Sequence, residues 1–326
     1  MPNTEGMKRP DSPRILALDI GGTKIFWAVL NDRGIILLKK TERPTQNSSQ
    51  EALVKQIIQI AKNAQSNMKV KEFQYVAIAT PGLVDCNGKV SYAVNLPWLN
   101  TPLKEILEKK LETSIIVEND AKAAALGEFY YGVGTGAKNL LYMTVGTGIG
   151  GALVLEGKLY RGSYNISGEF GHFSIDPNGY LCPCGNHGCL DLYASGLAIA
   201  QMAQKQLQSG CKSLLAKYQK RRETITAKLV INAARNGDKL SQQIVSDAGR
   251  NLGVGIVNLI RAFDPDKIVL GGSIVKAGKL FLGPMKNVIN ERRFKYATKP
   301  AIAISKLRHK AGILGLASLA QSKESD

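Results

Sequence analysis

Apolar runs separated by glycine-rich turns define the elements at the start of the chain. Residues 14–18 are largely apolar, the glycine-containing stretch 19–24 follows, and residues 25–30 are again apolar. The turn-forming residues 31–34 then precede a further apolar run at 35–38. Short apolar runs bounded by Gly, Asn and Asp are typical of strands joined by tight turns. The pattern therefore predicts consecutive antiparallel strands.

Helix-like and strand-like segments follow along the rest of the chain. Residues 50–64 carry Leu53, Ile57, Ile60 and Ala64 at helical spacing, which predicts an amphipathic helix. Further helices are predicted at 103–111, 121–130, 194–208, 241–262 and 312–321, and further strands at 75–79, 115–118, 140–145, 152–155 and 267–270. None of these segments has the roughly 18 consecutive apolar residues that a membrane-spanning helix needs.

The pattern of strand, glycine turn and strand occurs a second time. Residues 140–145 are apolar, a glycine-rich turn begins at Gly146, and apolar residues resume at 152–155. This hairpin lies 126 residues after the first, counted from Gly21 to Thr147. A repeat of this length indicates two related domains, since the repeats of solenoids are shorter. The length of 326 residues also favours two domains.

The composition is that of a globular protein with a large excess of positive charge. Hydrophobic residues make up 44% of the chain, the net charge is +17 and the pI is about 9.6. Basic residues are dense at 212–228 and 286–310, but neither region has interleaved aromatic residues or a helix-turn-helix pattern. We interpret these charges as solvated helix faces and expect no specific nucleic-acid partner. The same charge would attract an anionic nucleotide.

The N-terminus and the cysteines indicate a reducing compartment. The first 14 residues are polar, contain proline and lack an apolar signal region, so they are expected to form a frayed tail. Three of the five cysteines crowd into the segment from Cys182 to Cys189, whereas a disulfide framework would spread them along the chain. We therefore expect a cytoplasmic protein with a metal cluster and no membrane partner.

The two glycine turns are candidate phosphate-binding sites. Glycine permits positive φ and lets backbone amides approach a ligand, and successive exposed amides form an anion-binding nest. One such turn alone is more simply a tight hairpin turn, but two of them could grip a triphosphate. The spacing Gly146-x-Gly148-x-x-Gly151 also matches the dinucleotide-binding motif, which must open a helix. Strand-like residues follow here, so the pattern argues against an oxidoreductase.

The sequence Glu118-Asn119-Asp120 stands between a predicted strand and a predicted helix. Asn is a favoured N-cap residue, which puts Asp120 in the first helical turn, where the helix dipole favours an ionised carboxylate. An exposed carboxylate at this point could accept the proton of an attacking hydroxyl. An aspartate of ordinary pKa suffices, because proton transfer comes late in phosphoryl transfer. Helix capping alone is the alternative interpretation.

A cysteine-rich loop follows two candidate substrate-binding residues. Glu169 and His172 can bind several sugar hydroxyls as hydrogen-bond acceptor and donor. The sequence Cys182-Pro-Cys184-Gly-Asn-His-Gly-Cys189 places three thiols within eight residues. With His172, or with His187 inside the loop, they satisfy the tetrahedral preference of Zn²⁺, and a Cys-x-Cys redox pair is the alternative. A closed ligand set predicts a structural zinc that braces the loop carrying Glu169.

Taken together, these motifs resemble those of the ROK family, which contains sugar kinases and related repressors, and the resemblance runs from residue 16 to about 319. Residues 19–24 are similar to the first phosphate motif of the family, residues 146–151 to the second, and residues 264–272 to the strand and glycine pair that lie against adenosine. The resemblance implies nucleotide binding by Asp19, Gly21, Gly22, Thr23, Lys24, Gly146, Thr147, Gly148, Gly271 and Gly272.

The resemblance also implies roles for the polar residues singled out above. The aspartate that matches Asp120 is the catalytic base of the family. Hexose would be bound by Asn119, Asp120, Glu169, His172 and Asp191, and structural zinc by His172, Cys182, Cys184 and Cys189. At Asp191 the family commonly has Glu, which is one methylene longer.

The implied fold is the two-lobed α/β fold of actin and hexokinase, which is ribonuclease H-like. A small lobe would comprise residues 1–120, completed by a C-terminal helix in 304–326, and a larger lobe residues 121–303, with substrate between them. The implied activity is transfer of the γ-phosphate of ATP to the 6-hydroxyl of a hexose by a homodimer. Mg²⁺ is required to neutralise the triphosphate, with Asp19 as the candidate residue that holds it through water. Glucose is the leading hexose, and N-acetylmannosamine, N-acetylglucosamine and fructose are the alternatives.

A sugar-responsive transcriptional repressor is the alternative from a different functional class. Repressors of the ROK family keep the sugar pocket but carry a helix-turn-helix domain ahead of it, and only about 14 residues precede the first predicted strand. Such repressors also tend to lose the first phosphate motif, which is intact from Asp19 to Lys24. The sequence therefore favours the kinase.

Overall fold

The computed structural model describes residues 14–45, 49–294 and 299–323, which form two compact units. The first unit comprises the described residues up to Thr135, the segment Leu159–Ser167 and the described residues from Leu307 onward. The second comprises Gly136–Lys158 and the described residues from Gly168 to Lys306. The tail expected at the N-terminus lies outside the described residues, apart from Arg14. Within the described ranges, no helix combines the length and the apolar character that crossing a membrane requires.

The strands, in chain order, are β1 (Ile15–Ile20), β2 (Ile25–Leu30), β3 (Ile36–Glu42), β4 (Tyr75–Thr80), β5 (Leu83–Val84), β6 (Val90–Tyr92), β7 (Leu99–Thr101), β8 (Ser114–Asn119), β9 (Leu140–Val145), β10 (Ile149–Leu155), β11 (Lys158–Tyr160), β12 (Lys267–Gly271) and β13 (Ala301–Ile304). The helices are α1 (Gln50–Met68), α2 (Leu103–Leu111), α3 (Asp120–Tyr131), α4 (Asp191–Ala194), α5 (Gly196–Gln208), α6 (Ala216–Lys220), α7 (Ala227–Arg235), α8 (Lys239–Phe263), α9 (Lys279–Arg292) and α10 (Lys310–Ser322). Short 3₁₀ turns occupy Phe170–His172 and Ile274–Ala277.

The two main sheets have the same topology, which confirms the predicted duplication. The first sheet has the strand order β3-β2-β1-β4-β8, and the second has the order β11-β10-β9-β12-β13. In the first, β1, β2 and β3 pair antiparallel, while β4 pairs parallel to both β1 and β8. In the second, β9 and β10 pair antiparallel, and β12 pairs parallel to β9 and β13. A smaller sheet, β5-β6-β7, belongs to the first unit.

Side chains from both faces of β1 are buried, which explains its continuous apolar sequence. Leu16, Leu18 and Ile20 join one core cluster with apolar residues of α1 and α2. Ile15 and Ala17 point to the opposite face and join a second cluster with residues of α10. Successive residues of a strand point to opposite faces, so one strand contributes to two cores. The first sheet is therefore covered by helices on both sides.

The first unit extends beyond the boundary expected from the sequence. That boundary fell after Asp120, at the start of α3, whereas the first unit includes α3 and continues to Thr135. The reason is the close packing of α3 against α10. A Cβ atom at Gly127 of α3 would overlap the carbonyl oxygen of Ala311, and one at Gly315 of α10 would overlap that of Ala123. Two glycines thus let the two backbones approach each other directly.

We predict that Gly315→Ala lowers the free energy of unfolding by about 1–3 kcal/mol, because the added methyl group has no space and the backbones of α3 and α10 must separate. Gly312→Ala in the same helix is the matched control. A Cβ atom there would lie 3.4 Å from Asp19 Oδ2, an ordinary contact, and Ala favours the helix over Gly by up to about 1 kcal/mol. Denaturant unfolding monitored by circular dichroism measures the free energy of unfolding of both variants. Equal stability of the two variants would contradict the proposed role of this contact.

Candidate active site

The carboxyl ends of the parallel strands bring the first group of polar residues together. Because β1, β4 and β8 run parallel, Asp19 of β1, Thr80 of β4 and Asn119 of β8 lie toward the same edge of the sheet. Thr80 is fully buried, and its hydroxyl accepts a hydrogen bond of 3.0 Å from the indole N–H of Trp98. Ligand sites of open α/β sheets lie outside this edge. The topology therefore makes it the candidate reaction centre of the first unit.

Asn119 is the N-cap of α3, as the sequence predicts. Its side-chain oxygen accepts hydrogen bonds from the amides of Ala121 and Lys122, at 2.9 and 3.2 Å. Its side-chain nitrogen donates to the carbonyl oxygen of Gly82 at 3.1 Å. One side chain thus satisfies helix amides and fixes the loop that follows β4. Asp120, the next residue, occupies the first turn of α3.

Asp120 differs from the expectation of an exposed aspartate with an ordinary pKa. The side chain is half-buried, and burial raises the pKa of its carboxyl above the usual aspartate value. Hydrogen bonds from backbone amides, including one of 2.8 Å from Ala121 to Oδ1, partly offset this effect. Burial removes water that would stabilise the ionised form. Asp120 is therefore a stronger base than an exposed aspartate.

Asp19 and Asp120 form an interacting pair of carboxyl groups. The pKa of Asp19 is raised from 3.8 to about 7, first by burial and then by repulsion from Asp120, while Lys24 lowers it in part. Gly312 of α10 packs against Asp19 and adds no side chain of its own. Two partly buried carboxylates that repel each other favour a bound cation, because it compensates both charges. The pair therefore fits Mg²⁺ chemistry.

The first glycine turn is a tight hairpin connection between β1 and β2. The amide of Gly21 donates to the carbonyl oxygen of Lys24 at 2.9 Å, while the amides of Gly22 and Thr23 have no acceptor among the residues that the structure describes. Gly22, Thr23 and Lys24 are exposed. Free, solvent-facing amides beside a lysine are what a phosphate group requires.

Positive φ is not the reason for the glycines in these turns, contrary to the expectation from sequence. Neither Gly21 and Gly22 nor Gly146 and Gly148 have positive φ. Gly22 is required because a Cβ atom would lie 3.0 Å from both the Cβ and the carbonyl oxygen of Asn95. Close approach of neighbouring groups, not backbone conformation, therefore explains the glycine at this position.

The second glycine turn joins β9 to β10 and is held by the start of α5. The amide of Gly146 donates to the carbonyl oxygen of Gly148 at 2.9 Å. The carbonyl oxygens of Gly146 and Thr147 accept from the amides of Gly196 and Leu197, at 2.8 and 3.1 Å. These bonds orient the turn and satisfy amides of the first turn of α5 at the same time.

The glycine pair at the end of β12 lies beside the second turn. Gly272 has φ +91°, and a Cβ atom there would overlap backbone atoms of Val145. At Gly271 a Cβ atom would lie 2.6 Å from the hydroxyl of Tyr142. Gly272 is therefore required by its backbone conformation and by lack of space, and Gly271 by lack of space alone. The second unit thus brings together Gly146 to Gly148 and Gly271 to Gly272.

Glu169 and His172 lie in the loop that packs against the start of β10. A 3₁₀ turn at Phe170–His172 buries the ring of Phe170, which occupies the space left by Gly151. Glu169 is half-buried and His172 is exposed. The buried aromatic ring therefore anchors a turn that presents a carboxylate and an imidazole.

Asp191 contacts the second glycine turn directly. Its Oδ1 atom accepts a hydrogen bond of 2.6 Å from the amide of Ile149, and a Cβ atom on Gly148 would lie 3.2 Å from the same oxygen. Burial raises the pKa of Asp191, while the Ile149 amide and His172 lower it. This contact joins residues 42 positions apart and has no local sequence signal that could have predicted it.

The cysteine cluster assembles with His172 and not with His187. The ligand atoms of His172, Cys182, Cys184 and Cys189 all lie within 4.8 Å of one another. His187 is outside this group, and its Nδ1 lies 3.1 Å from the carbonyl oxygen of Gly179. The Sγ atoms of Cys184 and Cys189 are 3.6 Å apart, close to the roughly 3.8 Å expected for a tetrahedron with zinc–sulfur bonds of about 2.3 Å.

The protonation of the cluster also fits a cation. Burial and the neighbouring thiols Cys184 and Cys182 raise the pKa of Cys189 to about 12, so these thiols do not ionise together without a positive charge between them. A divalent cation bound by thiolates displaces the protons and removes this penalty. The four side chains therefore form a candidate metal site.

Two charged residues near Asp120 were missed by sequence reasoning. Lys122 is buried, and its ammonium donates to the backbone carbonyl and, at 3.2 Å, to the side-chain oxygen of Asn165. Arg161 forms an ion pair of 3.1 Å with the buried Glu118. The two interactions attach Leu159–Ser167 to the end of β8 and the start of α3. A lysine within the alanine-rich run after Asp120 was the only sign of this in the sequence.

The fold and the family follow from comparison with known proteins. The sequence pattern of the ROK family matches residues 15–323. A glucokinase of Halalkalibacterium halodurans is 36% identical over 320 residues, which cover 95% of each chain. A ROK family glucokinase from Streptomyces griseus, solved in complex with glucose and AMPPNP, matches with a TM-score of 0.80 and 32% identity, covering 94% of this chain and 99% of that one.

A regulator is also among the relatives. A xylose repressor of Caldicellulosiruptor bescii is 29% identical over 325 residues, which cover 96% of this chain and 81% of the repressor. The two-unit α/β architecture is the actin and hexokinase-like fold. The chain belongs to the ROK family.

Asp19 gives a pH-dependent prediction for stability. Its folded-state pKa of about 7 lies above the ordinary value of 3.8, so folding favours the protonated form, and ionisation at higher pH destabilises the folded state. We expect Asp19→Asn to raise the unfolding temperature above pH 7, and the gain to shrink as the pH falls from there and to vanish below 3.8, where the carboxyl is protonated in both states. Thermal unfolding in Mg²⁺-free buffer between these pH values measures the difference. Glu72→Gln, which changes an exposed carboxylate, serves as the control, and a gain independent of pH would contradict the assignment.

Proposed function

We propose that this ROK protein is an ATP-dependent hexokinase that transfers the γ-phosphate of ATP to the 6-hydroxyl of glucose. The observation that carries the proposal is the placement of Asp120. It follows an N-cap at the carboxyl edge of a parallel sheet, its pKa is raised by burial, and it interacts with a second carboxylate, Asp19. A general base beside a candidate cation-binding carboxylate is the arrangement that phosphoryl transfer to a hydroxyl uses.

Asp120 accepts the proton of the attacking 6-hydroxyl as the phosphoryl group is transferred. Its raised pKa makes proton transfer more favourable, since a base works best when its pKa approaches the operating pH. Asn119 holds the backbone of this residue through the first amides of α3. Lys122 and Glu118 attach the same helix start to Leu159–Ser167 and limit its movement.

The hexose is bound by Asn119, Asp120, Glu169, His172 and Asp191. Carboxylates accept from sugar hydroxyls, and the imidazole both donates and accepts. His172 Nδ1 faces Cys182 Sγ at 3.6 Å, which leaves Nε2 for a hydroxyl when Nδ1 binds a metal. Relatives named glucokinase support glucose over N-acetylmannosamine, N-acetylglucosamine and fructose.

ATP is bound through backbone amides of the two glycine turns and through the glycine pair at the end of β12. Asp19 holds Mg²⁺, which when bound neutralises triphosphate charge. The metal site of His172, Cys182, Cys184 and Cys189 holds a structural zinc, because four protein ligands leave no open position for chemistry. The zinc braces the loop that carries Glu169. That the protein forms a homodimer and that it lies in the cytoplasm are still predictions from the sequence.

A sugar-responsive regulator is the second candidate, since the chain also matches a xylose repressor over 96% of its length. Such a protein needs the sugar-binding residues but has no use for a catalytic base or for free phosphate-binding amides. Among the described residues both features are present, at Asp120 and at Gly22 to Thr23. The kinase therefore accounts for more of the site than the regulator does.

We expect ATP- and Mg²⁺-dependent ADP release in a coupled assay, with the highest kcat/KM for glucose among the four sugars. Asp120→Asn should lower kcat by about 10²–10⁴ and leave the glucose affinity within a few-fold, because the amide keeps hydrogen bonding but does not accept the proton. Glu72→Gln changes an exposed carboxylate of the same unit and should be fully active. An Asp120→Asn variant that retains more than a tenth of wild-type kcat would exclude Asp120 as the base.

We expect one zinc ion per chain by elemental analysis of the purified protein. Cys184→Ser and His172→Ala should lose it, whereas His187→Ala should retain it, because His187 lies outside the group of ligand atoms. The KM for glucose should rise in Cys184→Ser, since the loop carrying Glu169 loses its brace. Full zinc content in Cys184→Ser, or loss of zinc in His187→Ala, would show that the ligand set is wrong.

A further inference from the structure

One short segment of the second unit contacts the second glycine turn at three points. The segment runs from Cys189 to Leu197 and contains α4 and the start of α5. Asp191 accepts from the amide of Ile149 at 2.6 Å, and the amides of Gly196 and Leu197 donate to the carbonyl oxygens of Gly146 and Thr147. The turn is therefore bonded on both sides by residues of this segment, which we call the turn clamp (residues 189–197).

The turn clamp is itself firmly held. Cys189 and Leu190 are fully buried, and Leu190 packs against Gly255 of α8, where a Cβ atom would overlap its side chain. Ser195 is also fully buried and caps α5 by accepting from the amide of Ala198 at 3.2 Å. The candidate metal ligand Cys189 and the packed side chain of Leu190 hold the backbone before Asp191, and the cap residue Ser195 holds it afterwards.

The carboxylate of Asp191 is held close to the backbone of the second glycine turn. The 2.6 Å hydrogen bond is short, as expected for a carboxylate that accepts from an amide. Gly148 has no side chain, and the carboxylate of Asp191 lies close to it: a Cβ atom on Gly148 would be 3.2 Å from Oδ1. A short acidic side chain and a glycine therefore fit each other here, and the carboxylate is directed at the backbone of the turn.

We propose that Asp191 is a positioning residue for nucleotide binding, which orients the amides of Thr147 and Gly148 toward the phosphates of ATP. The role rests on the proposed kinase function and adds to the sugar contact implied by family resemblance. The bond to Ile149 fixes the last peptide of the turn, and the bonds from Gly196 and Leu197 fix the first two. Since Cys189 precedes Asp191 by two residues, the metal cluster supports the nucleotide site as well as the sugar loop.

The test is equilibrium binding of a fluorescent ATP analogue with Mg²⁺ and without sugar, so that turnover plays no part. Asp191→Ala removes the acceptor and should raise the Kd about tenfold, as expected for loss of a hydrogen bond to a charged group. Asp191→Asn keeps an oxygen that accepts from Ile149, and its Kd should stay within about twofold of wild type. Asp176→Ala is the matched control, because Asp176 Oδ2 instead accepts from the hydroxyl of Tyr193 on the same short helix.

Distinct results would overturn the proposal. If Asp191 contacts only sugar, Asp191→Ala leaves the nucleotide Kd unchanged and raises only the KM for glucose. If its charge merely repels ATP, both variants bind nucleotide more tightly than wild type. If Asp191→Ala weakens binding only by loosening the second unit, Asp176→Ala, which removes a hydrogen bond to the same short helix, weakens nucleotide binding to the same extent. A wild type that binds no nucleotide would refute the kinase itself, whereas an active wild type with an unaffected Asp191→Ala refutes only the positioning role.

Gly148→Ala provides a second test that does not depend on the folding of Asp191→Ala. Its methyl group would lie 3.2 Å from Asp191 Oδ1, so the carboxylate must shift by a few tenths of an ångström, which weakens the hydrogen bond from the amide of Ile149. The nucleotide Kd should rise by a similar factor. The Kd of the double variant Gly148→Ala/Asp191→Ala should not exceed the larger of the two single-variant Kd values. Additive losses would mean that the two residues act independently and would overturn the proposal.

Discussion

The parallel pairing of β4 with both β1 and β8 is the constraint on which the candidate reaction centre depends. Asp19 and Asp120 are about a hundred residues apart in the sequence, and only this pairing places them at one edge of one sheet. Burial raises the pKa of both carboxyl groups, and the proximity of Asp120 raises that of Asp19 further. The same edge receives α10, whose Gly312 lies against Asp19. Strand order thus sets the electrostatics of the site before any substrate is present.

The second unit repeats this sheet topology but uses its hairpin turn differently. In the first unit, the turn between β1 and β2 is closed by its own hydrogen bond from Gly21 to Lys24. In the second, the turn between β9 and β10 is also bonded to Asp191 of α4 and to Gly196 and Leu197 of α5. The two sheets therefore share their strand order, while the connection after β11 carries the candidate metal ligands and the residues that contact the second turn.

Local features of the site could be predicted from sequence, and long-range ones could not. Asn119 is an N-cap because capping depends on neighbouring amides, so the pattern Asn119-Asp120 before an apolar run was sufficient. The interaction of Asp19 with Asp120 depends on the pairing of strands that lie far apart in the sequence. The same is true of Lys122, whose buried ammonium is bonded to a residue 43 positions away. The cysteine spacing predicted a metal site, but the choice of His172 over His187 required the loop conformation.

The strand bounds were predicted more closely than the small elements between them. Strands buried on both faces have continuous apolar sequences with clear ends, as in β1 and β9. The strands β5, β6 and β7 have two or three residues each, too few for an alternating pattern to appear. Helix α9 contains Pro284 in its interior, which breaks the sequence pattern of a helix. Tertiary packing determines such elements, and the local sequence does not.

The packing of α10 has a consequence for the order in which the chain becomes structured during synthesis. Apolar residues of α10, including Ile313, Leu316 and Ala317, belong to the same core cluster as Ile15 and Ala17 of β1. During translation β1 leaves the ribosome early, whereas α10 is made almost three hundred residues later. One face of the first sheet therefore stays incompletely covered while the second unit is synthesised. The second unit has its own core and can fold first, so the unit that begins the chain is completed last.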